Sequence, residues 1–156
     1  MSLKRALVAL VLAVFASTST LVLAADNMVG TWKLNTAKSK STYKSGTSVS
    51  AMEGDALKVT VDIVAGDGTA YHWMWTAKYD GKDYPVTGKT PYGDKGSVAL
   101  TRVDANTLKL VAKNDGKVVA NQTIATSADG KTRTVTTKGT DAKGQPIDTV
   151  TVYDRQ

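Results

Sequence analysis

The residues able to do chemistry in this 156-residue chain are few. There is one His, His72, one Glu, Glu53, and no Cys. The absence of Cys excludes disulfide scaffolds, thiol catalysis, zinc knuckles and iron–sulfur clusters. A single imidazole excludes any metal or acid–base site that needs two, and His72 has no sequence signature of a partner nucleophile. No Gly-x-Ser-x-Gly element occurs, and Gly96-Ser97 lacks the strand–turn–helix context that such a nucleophile requires. Most Asp residues sit beside Gly in short polar clusters, where they serve turns, so a glycosidase-type carboxylate pair is not supported. Gly66-Asp67-Gly68 is followed by no helix whose dipole could hold a phosphate. The sequence therefore implies no catalytic residue, no metal and no cofactor.

What remains are groups suited to binding. Tyr71, Trp73, Trp75 and Tyr79 alternate with His72, Met74, Thr76 and Lys78, so the four aromatics share one face of one strand. Facing inward, they form core alone, or core that is also the wall of a ligand pocket. Facing outward, they would make a large apolar patch that requires a partner. Arg102 has the parity of Val98 and Leu100. A buried Arg there needs an acidic partner or an anionic ligand, which makes Arg102 the expected contact for a polar headgroup. Tyr84-Pro85 and Pro91-Tyr92 flank an irregular stretch at 86–95, read either as a loop gating a barrel mouth or as an ordinary exposed connection.

These residues need strands to position them. The chain beyond its first two dozen residues is rich in Thr and Val and poor in Leu, and no long stretch has a helical period. Period-two alternation recurs instead: Leu57, Val59, Val61 and Ile63; Leu108 and Leu110; Val118, Ala120, Gln122 and Ile124; Ile147, Thr149, Thr151 and Tyr153. Between the runs lie Gly66-Asp67-Gly68, Asp80-Gly81, Asn114-Asp115-Gly116, Asp129-Gly130 and Lys143-Gly144, which are hairpin signals. They predict strands at 28–34, 47–53, 56–64, 69–79, 82–87, 97–103, 106–113, 117–126, 131–138 and 146–154. An all-β antiparallel up-and-down meander of about 8–10 strands removes its two edges by closing into a barrel, with a two-sheet sandwich as the alternative. With so few bulky aliphatics, Trp and Tyr must supply much of the burial, and a barrel lined this sparsely retains a cavity.

The first residues read differently. Lys4 and Arg5 precede the apolar run Ala6 to Ala16, a polar break at Ser17 to Thr20, and Val22 and Ala24 as small residues before Asp26. This pattern predicts a secretory signal peptide at 1–24, cleaved after Ala24, and a single domain over 25–156. The interrupted apolar run is too short to serve as a stable membrane anchor. Localisation is thus expected to be secreted or periplasmic. Two units of the +6 formal charge lie in the leader, and the remaining Lys residues alternate with Asp, which excludes the clustered basic face of a nucleic-acid binder.

Two ends of the chain carry a family resemblance. Gly30-Thr31-Trp32-Lys33-Leu34 resembles the Gly-x-Trp opening of the calycin group, the lipocalins and intracellular fatty-acid-binding proteins. Val150-Thr151-Val152-Tyr153-Asp154-Arg155 is similar to the last strand of a fatty-acid-binding protein, and the whole resembles small secreted bacterial lipocalin-like proteins. The resemblance implies a calycin-like barrel around a small apolar molecule. It also implies a structural barrel end in which Trp32, preceded by Gly30, packs against an Arg of the last strand, Arg155. The chain departs from fatty-acid-binding proteins in two places. Thr151 stands where they carry a carboxylate-binding Arg, and 35–46 is too short for their two lid helices.

The function expected from these readings is non-enzymatic binding of a small hydrophobic or amphipathic molecule, with Tyr71, Trp73, Trp75, Tyr79 and Arg102 as ligand contacts. Two alternatives stay open: an isomerase, cyclase or decarboxylase on the same barrel using Tyr or Arg, and an interaction or inhibitor module acting through its outer surface.

Overall fold

Every short turn in this chain joins two alternating runs, and the result is a closed antiparallel barrel. The computed structural model describes residues 26–156. The expected leader at 1–24 lies outside the described residues. The strands are β1 (Gly30–Leu34), β2 (Tyr43–Glu53), β3 (Ala56–Ala65), β4 (Ala70–Lys78), β5 (Asp80–Lys89), β6 (Gly96–Asp104), β7 (Thr107–Asn114), β8 (Lys117–Thr126), β9 (Thr132–Thr140) and β10 (Pro146–Arg155). Each pairs with its sequence neighbours, and β1 closes the ring by pairing with both β2 and β10. This is the all-β up-and-down barrel that the turn spacing predicts, and no helix occurs among the described residues. Closure leaves no unpaired edge to aggregate.

Alternation decides what lies inside. Leu57, Val59, Val61 and Ile63 of β3 are all buried, as are Leu108 and Leu110 of β7. They join Trp75, Val98 and Leu100 in one core cluster. Lys58, Asp62, His72, Met74 and Lys78, of opposite parity, are exposed. Val118 breaks the expected pattern: it is 56% exposed, although the sequence places it on the inner face with Ala120, Gln122 and Ile124. The register explains the difference. Ala112 pairs with Ala120 but Lys113 pairs with Val118, so Val119 is an extra, bulged residue and turns inward instead.

The stretch at 86–95 is also more regular than expected. β5 runs to Lys89, with Trp75 opposite Val86 and His72 opposite Lys89, so only 90–95 is loop. The β4–β5 seam is short, with four registered pairs along two long strands. The shortest ladder is β1–β10, where Trp32, Lys33 and Leu34 pair with Arg155, Asp154 and Tyr153.

Up-and-down order sorts the connections between two ends. The stretches at 35–42, 66–69, 90–95, 115–116 and 141–145 gather at one end, here termed the mouth. Those at 54–55, 105–106 and 127–131 gather at the other, together with residues 26–29, which plug it.

Candidate functional site

The interior is not completely filled. A cavity of about 90 Å³ lies within the barrel, bounded on one side by Leu57, Val59, Val61 and Ile63 and on the others by Trp73, Trp75, Leu108, Leu110 and Ile124. Polar side chains complete the wall: Ser48, Gln122, Thr137, Thr149, Thr151 and the phenols of Tyr43, Tyr92 and Tyr153. Thr149, Thr151 and Tyr153 reach it because β10 alternates, with Val152 turned outward under the 35–42 segment that bonds to its carbonyl. The walls therefore present an aromatic and aliphatic side against a hydroxyl-rich one.

The plugged end is built around Trp32, which is fully buried. Arg155 approaches its ring with the guanidinium carbon 4.3 Å from the centroid, the contact that the family resemblance implies. The same guanidinium donates to three carbonyls: from Nε to Gly130 at 2.5 Å, from Nη1 to Val29 at 2.6 Å and from Nη2 to Asn27 at 3.1 Å. It thus ties the plug and the β8–β9 turn to the last strand. Gly30 has φ of 144°, and a Cβ there would collide with Nη1 of Arg155, so the glycine is required both by backbone conformation and by this guanidinium.

A second Arg, not singled out in the sequence, lies deeper. Arg133 of β9 is only 5% exposed and lines the cavity. Its guanidinium carbon is 4.0 Å from the Trp32 ring centroid. Nη1 donates to Ser50 Oγ at 3.0 Å and Nη2 to the Met28 carbonyl, while Nε has no partner among the described residues. Burial, then the neighbouring positive charge of Arg155, pushes its pKa down to about 9, so it is a cation at neutral pH. The sequence did hold a signal for this position: Arg133 has the parity of Val135 and Thr137, which also face the cavity.

The predicted contacts divide between the interior and the two rims. Trp73 and Trp75 line the cavity. Tyr71 does not. It lies toward the mouth beside a shallow outer groove, with the Lys89 ammonium 5.3 Å from its ring. Tyr79 and Arg102 stand at the plugged end, outside the cavity lining. The Arg102 guanidinium, only half-buried, stacks 4.3 Å from the Tyr79 ring and pairs with Asp26 at 2.5 Å, an acidic partner of the kind expected for this position. The charged group lining the cavity is therefore Arg133, and Arg102 anchors the plug.

At the mouth, the 90–95 loop lays Tyr92 over the interior, where its hydroxyl accepts from Gln122 Nε2 at 3.2 Å. Burial raises the pKa of Tyr92, and likewise those of Tyr43 and Tyr153, so all three stay neutral phenols at physiological pH. A smaller cavity of about 40 Å³, bounded by Val86, Gly96 and Val98, shares Trp73, Trp75, Tyr92, Leu110 and Gln122 with the first. These shared side chains partition the interior. The loop itself is held by a hydrogen bond from the Ala142 N–H to the Pro91 carbonyl and by Asn114, which accepts from the Lys95 N–H.

A larger depression, about 400 Å³, runs over the outside of the barrel past Lys33, Lys44, Asp62 and His72. Its lining mixes charged and polar side chains with Leu34, Ile63 and Val64, whereas the interior cavity is walled by side chains of most strands, and surrounding walls are what yield affinity for apolar groups. His72 Nδ1 lies 2.6 Å from Asp62 Oδ1 on this outer face. Asp62 stands between it and Thr47 in register, and Lys89 of β5 lies opposite His72 on the other side. No group of three or more His, Cys, Asp or Glu side chains able to hold a metal occurs among the described residues. No protein-family model matches the sequence, and comparison with curated proteins finds no match.

Proposed function

We propose that this is a non-enzymatic binding protein of the secretory route, secreted or periplasmic, that holds a small amphipathic molecule inside a calycin-type barrel. The observation that carries the proposal is the cavity inside the barrel, with Trp73 and Trp75 on an apolar wall and hydroxyl groups opposite. Kinship with the calycins is supported by Gly30-Thr31-Trp32 and by the contact of Arg155 with the Trp32 ring.

Size limits the occupant. An apolar cavity of about 150 Å³ accepts benzene. At about 90 Å³, the space found here suits a molecule no larger than benzene, and a longer chain requires Tyr92 to swing out and join the two cavities. Fatty acids are therefore poor candidates for the barrel with its mouth closed.

Tryptophan fluorescence tests the reading. The mature protein is titrated with 1-butanol, toluene and a larger hydrophobic probe. A saturable quench or blue shift, lost in folded Trp73→Ala and Trp75→Ala variants, supports an occupied interior. No response across the panel overturns it and leaves a packed barrel that acts through its surface.

A further inference from the structure

We infer that the cavity is an anion site and that its occupant is a short-chain monocarboxylate, whose charged end meets Arg133 while its apolar body lies against Trp75 and the aliphatic wall. This deepens the binding function proposed above and rests on it.

Four observations lead there. First, Arg133 is a buried cation on the cavity wall, and none of the ion pairs among the described residues includes it. The acid nearest in effect, Asp26, is taken by Arg102. Second, a guanidinium has five N–H donors. Arg133 uses one at Ser50 and one at Met28, and its Nε donates to nothing among the described residues. Third, the surroundings add positive charge, since Arg155 approaches the same Trp32 ring. Burying a cation next to another cation, without a counter-charge, is costly, and an incoming anion removes that cost. Fourth, Tyr153 is the cross-strand partner of Arg133 and lines the same space. Burial keeps its phenol protonated, so it is a second donor rather than a competing anion. Ser48 and Thr151 add hydroxyls on the same wall.

A carboxylate fits this set because it takes two donors from one guanidinium edge. The volume selects a short chain, and the aliphatic side chains of β3 and β7 favour an alkyl body over a second charge.

The test compares charge at constant shape. The mature protein is titrated calorimetrically, at fixed ionic strength, with butyrate and with its neutral isostere butyramide. Butyrate is expected to bind about tenfold tighter or more, because hydrogen bonds to charged groups exceed neutral ones. Arg133→Gln is expected to abolish that preference and leave butyramide binding in place. Equal binding of the two by the wild type overturns the anion assignment, and a response to the small apolar panel then keeps the binding function alone. Silence toward butyrate, butyramide and the panel overturns both. A preference that survives Arg133→Gln overturns the role of Arg133. Should that variant not fold, the Nε–Hε resonance of Arg133 in the wild type decides: a shift with butyrate and none with butyramide supports the site, and no shift with butyrate overturns it.

Discussion

Arg155 and Arg133 both approach the ring of Trp32, yet their surroundings assign them different work. Arg155 spends its donors on the carbonyls of Asn27, Val29 and Gly130 and holds the plug. Arg133 keeps donors in reserve beside a cavity. Met28 sits between them in effect, with its side chain fully buried and its carbonyl bonded to Arg133. Met28→Ala removes the side chain and retains that carbonyl. The loss is expected to cost about 2–5 kcal/mol, read from urea unfolding as a lower midpoint with unchanged slope. A second expectation concerns alkali. Tyr43, Tyr92 and Tyr153 have pKa values raised by burial above the unfolded value of about 10. Their contribution is fully present below pH 10 and is lost as pH rises further, because the unfolded chain releases phenolic protons that the barrel retains. Arg133 has the opposite sign, since its lowered pKa relieves the barrel above about pH 9. Three phenols outweigh one guanidinium, so stability should fall above pH 10. Tyrosinate absorbance at 295 nm should then show a late step coincident with loss of the far-ultraviolet signal. A smooth titration complete before unfolding would contradict this.

Among the elements, β8 shows how one extra residue reaches its neighbours. The bulge at Val119 carries that side chain inward and presses its carbonyl toward β9. The facing residue is Gly139, where a Cβ would overlap the Val119 carbonyl and crowd Ala120. Gly139→Ala should therefore separate the β8–β9 ladder locally, at a cost of about 1–3 kcal/mol. The measurement is thermal unfolding, together with faster amide exchange at Asn121 and Thr137. Unchanged exchange would show that the strands can shift without breaking pairs. The turns are held by a repeated device. Asp67, Asp80, Asp104, Asp129 and Asp141 each accept through Oδ1 the N–H two residues on. These bonds hold the carboxyls of Asp67 and Asp80 below the usual range. The turn aspartates are thus engaged by their own backbone.

At the scale of the molecule, the barrel has one end plugged by residues 26–29 and one end covered by the loop at 90–95. The covered end is the expected route to the interior, since the plug is tied by Arg155, by the Asp26–Arg102 pair and by a hydrogen bond from Asn27 to Asn106. The hydrogen bond from the Ala142 N–H to the Pro91 carbonyl brings two backbones together across that mouth. Pro91→Cys with Ala142→Cys, in a chain that otherwise has no Cys, should close it by a disulfide. Stopped-flow binding of a fluorescent apolar probe is expected to slow about tenfold or more in the oxidised form and to recover with reductant. Equal rates in both forms would mean that access runs elsewhere, with the short β4–β5 seam as the next place to look.

Sequence alone determined the strands, their order and most of what faces inward, because period-two alternation and Asp–Gly turns are local properties of neighbouring residues. It also marked the Trp32–Arg155 pair through its two terminal motifs, and Trp73 and Trp75 through their parity. It did not identify Arg133, which in Lys131-Thr132-Arg133-Thr134 reads as part of a solvated polar strand. Nor did it reveal the bulge at Val119, the plug formed by Met28, or the engagement of Arg102 by Asp26 from 76 residues away. Each of those depends on which side of a closed surface a residue meets and which distant strand lies opposite. Only closure of the barrel decides that, because it turns one face of every strand into an interior with limited volume and few partners for a charge.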